Sequence, residues 1–353
     1  MLHLVAIPGQ PVSRANSSCA YTSKAWKFAR MMDDVTVYSA EDSEVGVPVY
    51  PDIEFSHDLP WPELNRPVIE AIRERAEPGD YVLSSFGAVQ ADLVETGLPV
   101  VEYGIGYGGT FADFRVFESY AWMHHVYGYE TARRGGDSHS CDGRFYDAVI
   151  PNYFDTDDFP EGGGGDYLLY VGRLTQRKGL EIVIETAKQT GLPLVVAGAG
   201  EYPLPDWVDY RGSVGPDERA ELMGNARALI APTLYLEPFG GVVVEAQLCG
   251  TPVITTDWGA FPETVEEGVT GYRCRLLREF VAAAHDVDCL DRPPIRERAV
   301  SRYSLASVRP QYERYFRHLD TLRGDGFYDL NERTTLALQG RTQEGNRRRP
   351  QSE

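Results

Sequence analysis

Short apolar runs alternate with longer amphipathic stretches along this chain, and that alternation is the strongest constraint on its fold. The first half contains the runs LHLVAI, VTVYS, DYVLSS, LPVVEYG and DAVIP, separated by helical stretches such as NRPVIEAIRERAE. Strands that alternate with helices predict a mostly parallel sheet covered on both faces. The pattern restarts with DYLLYVG, LPLVVAGAG, ALIAPT and TPVITT. We therefore expect two doubly wound α/β domains in tandem, with a ligand cleft between them.

Composition along the chain sets the predicted boundaries. Residues 1–151 are expected to form the first domain and 167–305 the second. The intervening 152–166 contains EGGGGD, which predicts a flexible linker because four consecutive glycines hold regular structure poorly. The stretch SVRPQYERYFRHLDTL predicts a late amphipathic helix over 306–329. The polar tail 330–353 has no apolar period and is predicted to be disordered.

The charge balance excludes some classes of partner. The chain has 53 acidic and 34 basic side chains, a formal net charge of −19. Such a surface disfavours wide non-specific binding to nucleic acid or to an anionic membrane. The five cysteines are widely spaced without a C-x-x-C, which fits a reducing compartment. No signal peptide pattern and no apolar stretch of ~18 residues is found, so we expect a cytoplasmic protein without a transmembrane segment.

A basic loop follows the first strand of the second half, in VGRLTQRKG. Arg173 and Lys178 lie five positions apart, directly after Gly172, where a strand ends and a helix begins. An arginine fork and a lysine point charge at the carboxyl end of a strand suit a diphosphate. A solvated basic loop is the alternative that the motif alone leaves open.

The stretch EPFGGVVVE places two glutamates around a Pro-Phe-Gly-Gly turn. Gly240 and Gly241 allow close approach to a ligand, and the helix that begins there directs its free N–H groups at an anion. Glu237 lies in the turn, and Glu245 falls inside the helix, where a carboxylate needs a partner. For Glu237 an exposed loop acid is the alternative. The glycine turn AGAGE, which includes Gly198, is a weaker signal for ligand contact than for an ordinary turn after a strand.

Four stretches together resemble family 4 (group 1) glycosyltransferases of the GT-B fold. They are YVGRLTQRKGLEIVIETAK, VVAGAGE, EPFGGVVVEAQLCGTPVITTDWGAFPETVEEGVTGYRC and RYSLASVRPQYERYF, and the resemblance covers about 147–318. The resemblance implies two Rossmann-like domains and a C-terminal helix that returns to the N-terminal domain. It also implies a retaining sugar transfer from a nucleoside diphosphate sugar, with UDP or GDP as the favoured nucleotide and no metal or other cofactor.

The same resemblance assigns roles to the matching residues. Arg173 and Lys178 would bind the donor diphosphate and stabilise the departing charge. Glu237 would hold the sugar hydroxyls, and Glu245 would accept hydrogen bonds from the ribose. The remaining donor-binding positions that it implies are Gly9, Gly172, Gly198, Phe239, Gly240 and Gly241.

The N-terminal half matches the family less well and resembles a subgroup often found in phages and environmental genomes. CAYTSKAWKFARMM and EYGIGYGGTFADFRVFESYAWMHH carry this likeness. The strand PVVEYGIGY lacks the histidine that touches the sugar in many relatives and has Tyr103 and Tyr107 nearby, so Tyr103 is a candidate on the acceptor side. His124 and His125 follow on a predicted helix, where a surface or core position is the alternative to a place in the site.

Two further charged stretches need an interpretation. DTDD, residues 155–158, contains the D-x-D metal signature of another glycosyltransferase fold, but its place at the domain junction argues against a metal role. Lys24 and Lys27 lie on neighbouring positions of one helix face, with Arg14 and Arg30 nearby. These lysines could bind an anionic acceptor or a membrane surface, or they could form a solvated helix face.

The sequence thus predicts a retaining, metal-independent glycosyltransferase whose acceptor is unknown. A glycan, lipid or protein acceptor is favoured, and nucleic acid enters only as an acceptor substrate, through a modified DNA base in a phage context. The alternatives are a non-catalytic protein that binds sugar nucleotides on the same fold, and a GT-B phosphorylase or epimerase.

Overall fold

Two parallel sheets organise the computed structural model. It describes residues 1–7, 9–16, 19–48, 61–105, 109–136 and 141–323. The seven strands of the first sheet are β1 (Leu2–Val5), β2 (Val35–Ser39), β3 (Val47–Pro48), β4 (Tyr81–Ser84), β5 (Val100–Glu102), β6 (Phe114–Phe117) and β7 (Ala148–Val149). The six strands of the second sheet are β8 (Leu168–Val171), β9 (Leu194–Ala197), β10 (Asp209–Tyr210), β11 (Ala228–Ala231), β12 (Val253–Thr256) and β13 (Gly271–Cys274).

Helices connect the strands and cover the sheets. They are α1 (Ala20–Met31), α2 (Trp61–Arg73), α3 (Tyr120–Arg133), α4 (Leu180–Thr190), α5 (Pro216–Gly224), α6 (Gly241–Leu248), α7 (Phe261–Thr264), α8 (Leu277–Asp286), α9 (Arg292–Tyr303) and α10 (Leu305–Asp320). Short 3₁₀ turns lie at Gly87–Thr96, Thr156–Asp158, Gln176–Lys178, Val287–Cys289 and Thr321–Arg323.

The strand orders confirm the predicted doubly wound fold. The first sheet runs β3-β2-β1-β4-β5-β6-β7 and the second β10-β9-β8-β11-β12-β13, and adjacent strands pair in parallel. In each sheet the order reverses at one point, between β1 and β4 and between β8 and β11. Ligands of such sheets bind beyond the carboxyl ends of the strands at this reversal. The loops after β8 and β11 therefore lie where a ligand is expected.

Strand β8 reads as a continuous apolar run, and β1 as a run interrupted by His3, because both sheet faces are covered. All four residues of β1 are buried, and Leu4 pairs with Val37 on one side and Leu83 on the other. Such runs are typical of parallel strands that lie between two layers of helices.

The last described helix, α10, crosses back to the first sheet, as the fold class predicts. Its Val308, Tyr312 and Leu319 are completely buried in the core that contains Leu4 and Phe28. The rings of Phe28 and Tyr312 meet edge to face with centroids 5.1 Å apart. The predicted helix 306–329 extends beyond the described residues at its end, and the predicted disordered tail 330–353 lies outside them.

Strand β6 is absent from the strands predicted by the apolar pattern, and one residue explains why. Arg115 interrupts the run FRVF, yet its side chain is completely buried. Its Nη2 donates to Asp147 at 2.5 Å and its Nη1 to Glu130 at 2.9 Å. A buried guanidinium is tolerated here because two carboxylates neutralise it, and a pattern of apolar residues cannot show such pairing.

The glycine run 162–165 has no regular structure, but it is packed closely and is not a loose linker. Gly162 donates its N–H to the carbonyl of Cys249 at 3.1 Å, and Gly164 donates to that of Gly224 at 3.0 Å. A Cβ on Gly162 would collide with the backbone of Gly224 at the end of α5. The glycines allow two backbone segments to touch, which corrects the expectation of a flexible linker.

Direct contacts join the two sheets' domains besides α10. Arg14, after β1, donates to Asp158 at 2.6 Å and to Asp217 of α5 at 2.7 Å. Glu263 of α7 accepts hydrogen bonds from the first two N–H groups of α3, at 3.0 and 2.9 Å. Ser119, which caps α3, donates to the carbonyl of Pro238 at 2.6 Å. The amino end of α3 is thus held by groups of the second domain.

Within the part of the chain that the structure describes, no helix combines the length and the apolar character needed to cross a bilayer.

Candidate active site

A cavity of about 450 Å³ lies between the two sheets and is lined by residues from both. Eight charged side chains face it, five of them cationic and three carboxylate: Lys24, Lys27, Arg173, Lys178, Arg219, Glu118, Glu237 and Glu245. The excess of cations is the reverse of the chain's net charge of −19. The cavity is therefore suited to an anionic ligand.

The loop after β8 supplies the cations of one wall. Arg173 is exposed and its carbonyl accepts a hydrogen bond from Tyr170 at 2.7 Å. Lys178 ends the 3₁₀ turn, and its Nζ lies 2.7 Å from Glu237 Oε2. The Tyr235 ring lies 5.0 Å from the same ammonium group. The structure therefore brings together Arg173, Lys178 and Glu237, as the sequence predicted, and adds Tyr235 to the group.

The turn before α6 reaches the cavity through its glycines. Gly240 caps α6 with φ +78°, a left-handed conformation that only glycine adopts without strain. A Cβ there would also lie 2.7 Å from Phe261 Cε1. Gly240, Gly241 and Phe239 line the cavity, although the Phe239 ring is itself 4% exposed and packed in the core. The positive end of the α6 dipole therefore faces the cavity.

Glu245 faces the cavity although the two valines directly before it in α6 are buried. Val243 and Val244 are completely buried in the core, whereas the Glu245 side chain is 17% exposed and lines the cavity. Its Oε2 lies 3.1 Å from Arg219 Nε, which makes an ion pair without the alignment of a hydrogen bond. The two glutamates of EPFGGVVVE thus have separate cationic partners.

Arg219 is a site residue that the sequence analysis missed, as are Tyr235 and Glu118. Arg219 lies in α5, a short helix whose other charged residues are acidic, and it lines the cavity. It belongs to none of the motifs that the sequence analysis recognised. The one available signal is its type, since it is the one cation among the charged residues of this helix. Helical spacing alone does not show that it faces the cleft.

The other wall comes from α1 and β6. Lys24 is 6% exposed and donates to the carbonyl of Tyr103 and, at 3.3 Å, to Glu118. Burial lowers the pKa of Lys24, and the nearby Glu118 opposes this shift. One oxygen of Glu118 is buried without a hydrogen-bond partner among the described residues. The alternative of a solvated helix face is therefore wrong for Lys24.

Tyr103 does not line the cleft, contrary to the prediction that placed it on the acceptor side. Its ring is completely buried beside Phe28, with centroids 5.2 Å apart, and burial raises the pKa of its hydroxyl. Only its carbonyl contributes, as the acceptor for Lys24. The alternation of side chains along β5 and the loop after it turns the ring into the core.

Several other candidate residues lie away from the cavity lining. Gly198 packs against the backbone of Gly172, where a Cβ would collide with the Gly172 carbonyl. Gly9 has φ +67° and also falls outside the lining residues. His124 and His125 are exposed on α3, and His125 stacks on Trp122 with centroids 4.8 Å apart. Tyr107 lies outside the described residues.

Two of the carboxylates of DTDD have arginine partners. Asp155 caps the 3₁₀ turn and pairs with Arg30 at 2.7 Å, while Asp158 pairs with Arg14. Among the described residues no group of three potential metal ligands is found. The absence of a metal role remains a prediction.

Comparison with known proteins places this geometry in a family context. Residues 154–275 match the model of the group 1 glycosyl transferases. This group 1 segment contains Arg173, Lys178, Arg219, Glu237 and Glu245. The α1 lysines and Glu118 lie outside it.

Curated relatives align with just over a third of the chain. A phosphatidyl-myo-inositol mannosyltransferase of Propionibacterium freudenreichii is 31% identical over 144 residues, which cover 36% of this chain and 38% of that protein. A D-inositol 3-phosphate glycosyltransferase of Mycolicibacterium paratuberculosis is 35% identical over 139 residues, covering 35% and 30%. The match therefore spans well under half of the length of these relatives.

Solved structures resemble the whole described fold. HepE of Anabaena, in complex with UDP and glucose, superposes with a TM-score of 0.65 at 17% identity, covering 89% of this chain and 98% of that one. AviGT4, a glycosyltransferase of avilamycin A biosynthesis, gives a TM-score of 0.68 at 20% identity, covering 90% and 97%. At these identities the likeness establishes the GT-B fold, with the group 1 segment forming most of its second domain.

Proposed function

We propose that this protein is a retaining glycosyltransferase of family 4 that transfers a sugar from a nucleoside diphosphate sugar to a hydroxyl-bearing acceptor. The observation that carries the proposal is the Lys178–Glu237 pair, at 2.7 Å, beside Arg173 and the amino end of α6. Fixed cations and a helix dipole at one place suit the diphosphate of such a donor. UDP is the favoured nucleotide, and solved structures of the same fold, such as HepE, hold UDP.

The reaction breaks the bond between the sugar's anomeric carbon and the β-phosphate oxygen. An acceptor oxygen bonds to the same carbon, and the acceptor's hydroxyl proton leaves with the diphosphate or passes to solvent. Arg173, Lys178 and the N–H groups of α6 stabilise the charge that develops on the departing diphosphate. These groups act without a divalent cation, so we propose metal-independent transfer.

The two glutamates have different roles in this proposal. Glu237 exchanges part of its contact with Lys178 for hydrogen bonds from the sugar's hydroxyl groups. Glu245, held by Arg219, accepts hydrogen bonds from the ribose. The five cysteines are free, which fits the reducing, cytoplasmic location that we propose.

The test compares donor binding with turnover in variants of the full chain. A thermal-shift screen of UDP-, GDP- and ADP-sugars identifies the donor first. We then expect Lys178→Ala and Glu237→Ala to lower turnover by about 10²–10³-fold, because each removes a group that acts on the transition state. Glu245→Ala should raise the donor Kd by about tenfold or more, since it removes a charged hydrogen-bond acceptor.

Lys188→Ala is the matched control. Lys188 lies on α4 away from the cavity and is 68% exposed, so its loss should leave turnover unchanged. Wild-type rates for both Lys178→Ala and Glu237→Ala would overturn the assignment.

Full activity in excess chelator supports metal independence, whereas complete loss of activity that manganese restores contradicts it. The anomeric configuration of the product tests whether transfer is retaining.

A further inference from the structure

Lysine is rare in this chain, and its placement is uneven. The four lysines are Lys24, Lys27, Lys178 and Lys188, and the first three line the cavity. Lys24 pairs with Glu118 and Lys178 pairs with Glu237. Lys27 makes no hydrogen bond or ion pair to any residue that the structure describes. Its ammonium group lies over an aromatic ring instead.

That ring ties Lys27 to the amino end of α6. The Lys27 Nζ lies 4.2 Å from the centroid of Phe154. The Cζ atom of Phe154 lies 3.8 Å from the position that a Cβ on Gly241 would occupy, and the ring stacks on Phe239. The ammonium group of α1 and the first turn of α6 therefore border the same ring, and both line the cavity.

The charged groups around Lys27 do not compensate the positive charge of its ammonium. Glu245 attracts the ammonium, but Glu245 already pairs with Arg219 at 3.1 Å. Arg219 and Lys24 repel it, and Asp158 offers a weaker attraction. A helix N-terminus attracts anions, so a cation beside α6 is on the unfavourable side of the dipole. The Lys27 ammonium and the amino end of α6 would therefore both attract a negative group placed between them.

We propose that Lys27 binds the diphosphate of the nucleotide donor from the first domain, facing Arg173, Lys178 and the amino end of α6. The inference rests on the proposed function and adds a residue outside the group 1 segment to the donor site. The diphosphate then contacts cations from both domains, so donor binding holds the cleft closed. An anionic acceptor is the competing occupant of this position, and the test separates the two.

The experiment measures nucleotide binding to the full-length Lys27→Met variant by calorimetry, without any acceptor. Methionine keeps the apolar stem and a favourable contact with the Phe154 ring, so that only the charge is removed. We expect the Kd for UDP to rise at least tenfold and the Kd for uridine to change less than twofold. The unfolding temperature of the ligand-free variant should be unchanged or higher, because no partner is left unpaired.

Lys188→Met is the control, and it should bind both ligands as the wild type does. Unchanged UDP affinity in Lys27→Met would overturn the inference and leave the position to an acceptor. An equal loss of uridine and UDP affinity, or a lower unfolding temperature, would show a structural role and also overturn it. Failure of the wild type to bind UDP, GDP or ADP would instead contradict the proposed function itself.

Discussion

Arg173 and Lys27 are the cations of the cleft without an ionic partner among the described residues, and they differ in the cost of being unpaired. Arg173 is exposed, so water compensates its charge, whereas Lys27 is only partly exposed and loses much of its hydration. Burial lowers the pKa of Lys27 to about 8, which the attraction of Glu245 offsets only in part. Lys27 is therefore the one of the two that can change its charge near neutral pH.

This pKa leads to a prediction about donor affinity. In the ligand-free protein Lys27 loses its proton as the pH passes about 8, while a bound diphosphate favours the protonated form. The affinity for UDP should therefore fall by about tenfold at most between pH 7.5 and 9. Calorimetric titrations across this range test the expectation.

The Lys27→Met variant serves as the reference for the same series. Titration of the nucleotide base, or of the charged groups that face Lys27 (Glu245, Arg219, Lys24 and Asp158), affects both proteins alike. The wild type should lose affinity more steeply than the variant. Parallel curves for the two proteins would contradict the prediction.

At the scale of elements, Gly240 at the start of α6 is required both by the fold and by the shape of the site. Gly240 combines φ +78° with a Phe261 atom only 2.7 Å from the position of a Cβ. A side chain here must either strain the backbone or move the helix end away from the cavity.

Gly240→Ala should therefore reduce both stability and donor binding. We expect a loss of about 1–3 kcal/mol in the free energy of unfolding and a clear rise in the Kd for UDP. Gly212→Ala is the matched control, because Gly212 has φ +68° but no atom within 4 Å of its Cβ position. Denaturant unfolding and calorimetry should show a smaller loss of stability and normal binding for the control. Equal effects on UDP binding would show that the position of α6 does not matter.

The elements differ in how well the sequence predicts them. Strands β8, β9, β11 and β12 and the turn before α6 can be predicted because apolar runs, glycines and charges there follow spacings that local chemistry requires. Strand β6 cannot be predicted in this way, because its buried Arg115 is neutralised by Asp147 and Glu130 from distant positions in the chain. The sequence shows a glycine run at 162–165, but it cannot show that the backbone of α5 lies against it.

The residues of the site also differ in how well the sequence predicts them. Arg173, Lys178, Glu237 and Glu245 are predictable from motifs in which position along the chain and position in space agree. Arg219 is not, because the orientation of α5 depends on the domain around it. The neighbouring positions of Lys24 and Lys27 are readable from helical spacing, but the groups that contact them, Glu118 and the ring of Phe154, come from distant parts of the chain.

At the scale of the whole molecule, polar contacts join the two domains beside the cleft. Arg14 reaches two aspartates of the junction and α5, and Glu263 holds the amino end of α3. Exposed ion pairs contribute little to stability, about 0–1 kcal/mol each. A change of that size is nevertheless enough to shift the balance between a closed and an open arrangement.

We expect the double variant Arg14→Ala, Glu263→Ala to be more open without ligand. Ser119 still caps α3, so the helix itself should remain folded. Small-angle X-ray scattering should show a larger radius of gyration than for the wild type, and saturating UDP should reduce the difference. The same radius for both ligand-free proteins would mean that these contacts do not control closure.

The return of α10 to the first sheet has a consequence for how the protein is made. Residues that complete the first core, such as Tyr312 and Leu319, follow the second sheet in the chain, while Leu4 and Phe28 of the same core precede it. Because a ribosome delivers the chain from its amino end, the first sheet must wait with an open apolar face while the whole second sheet emerges. The second domain can close as soon as α9 is complete, so the half that is translated first is the half whose core is finished last.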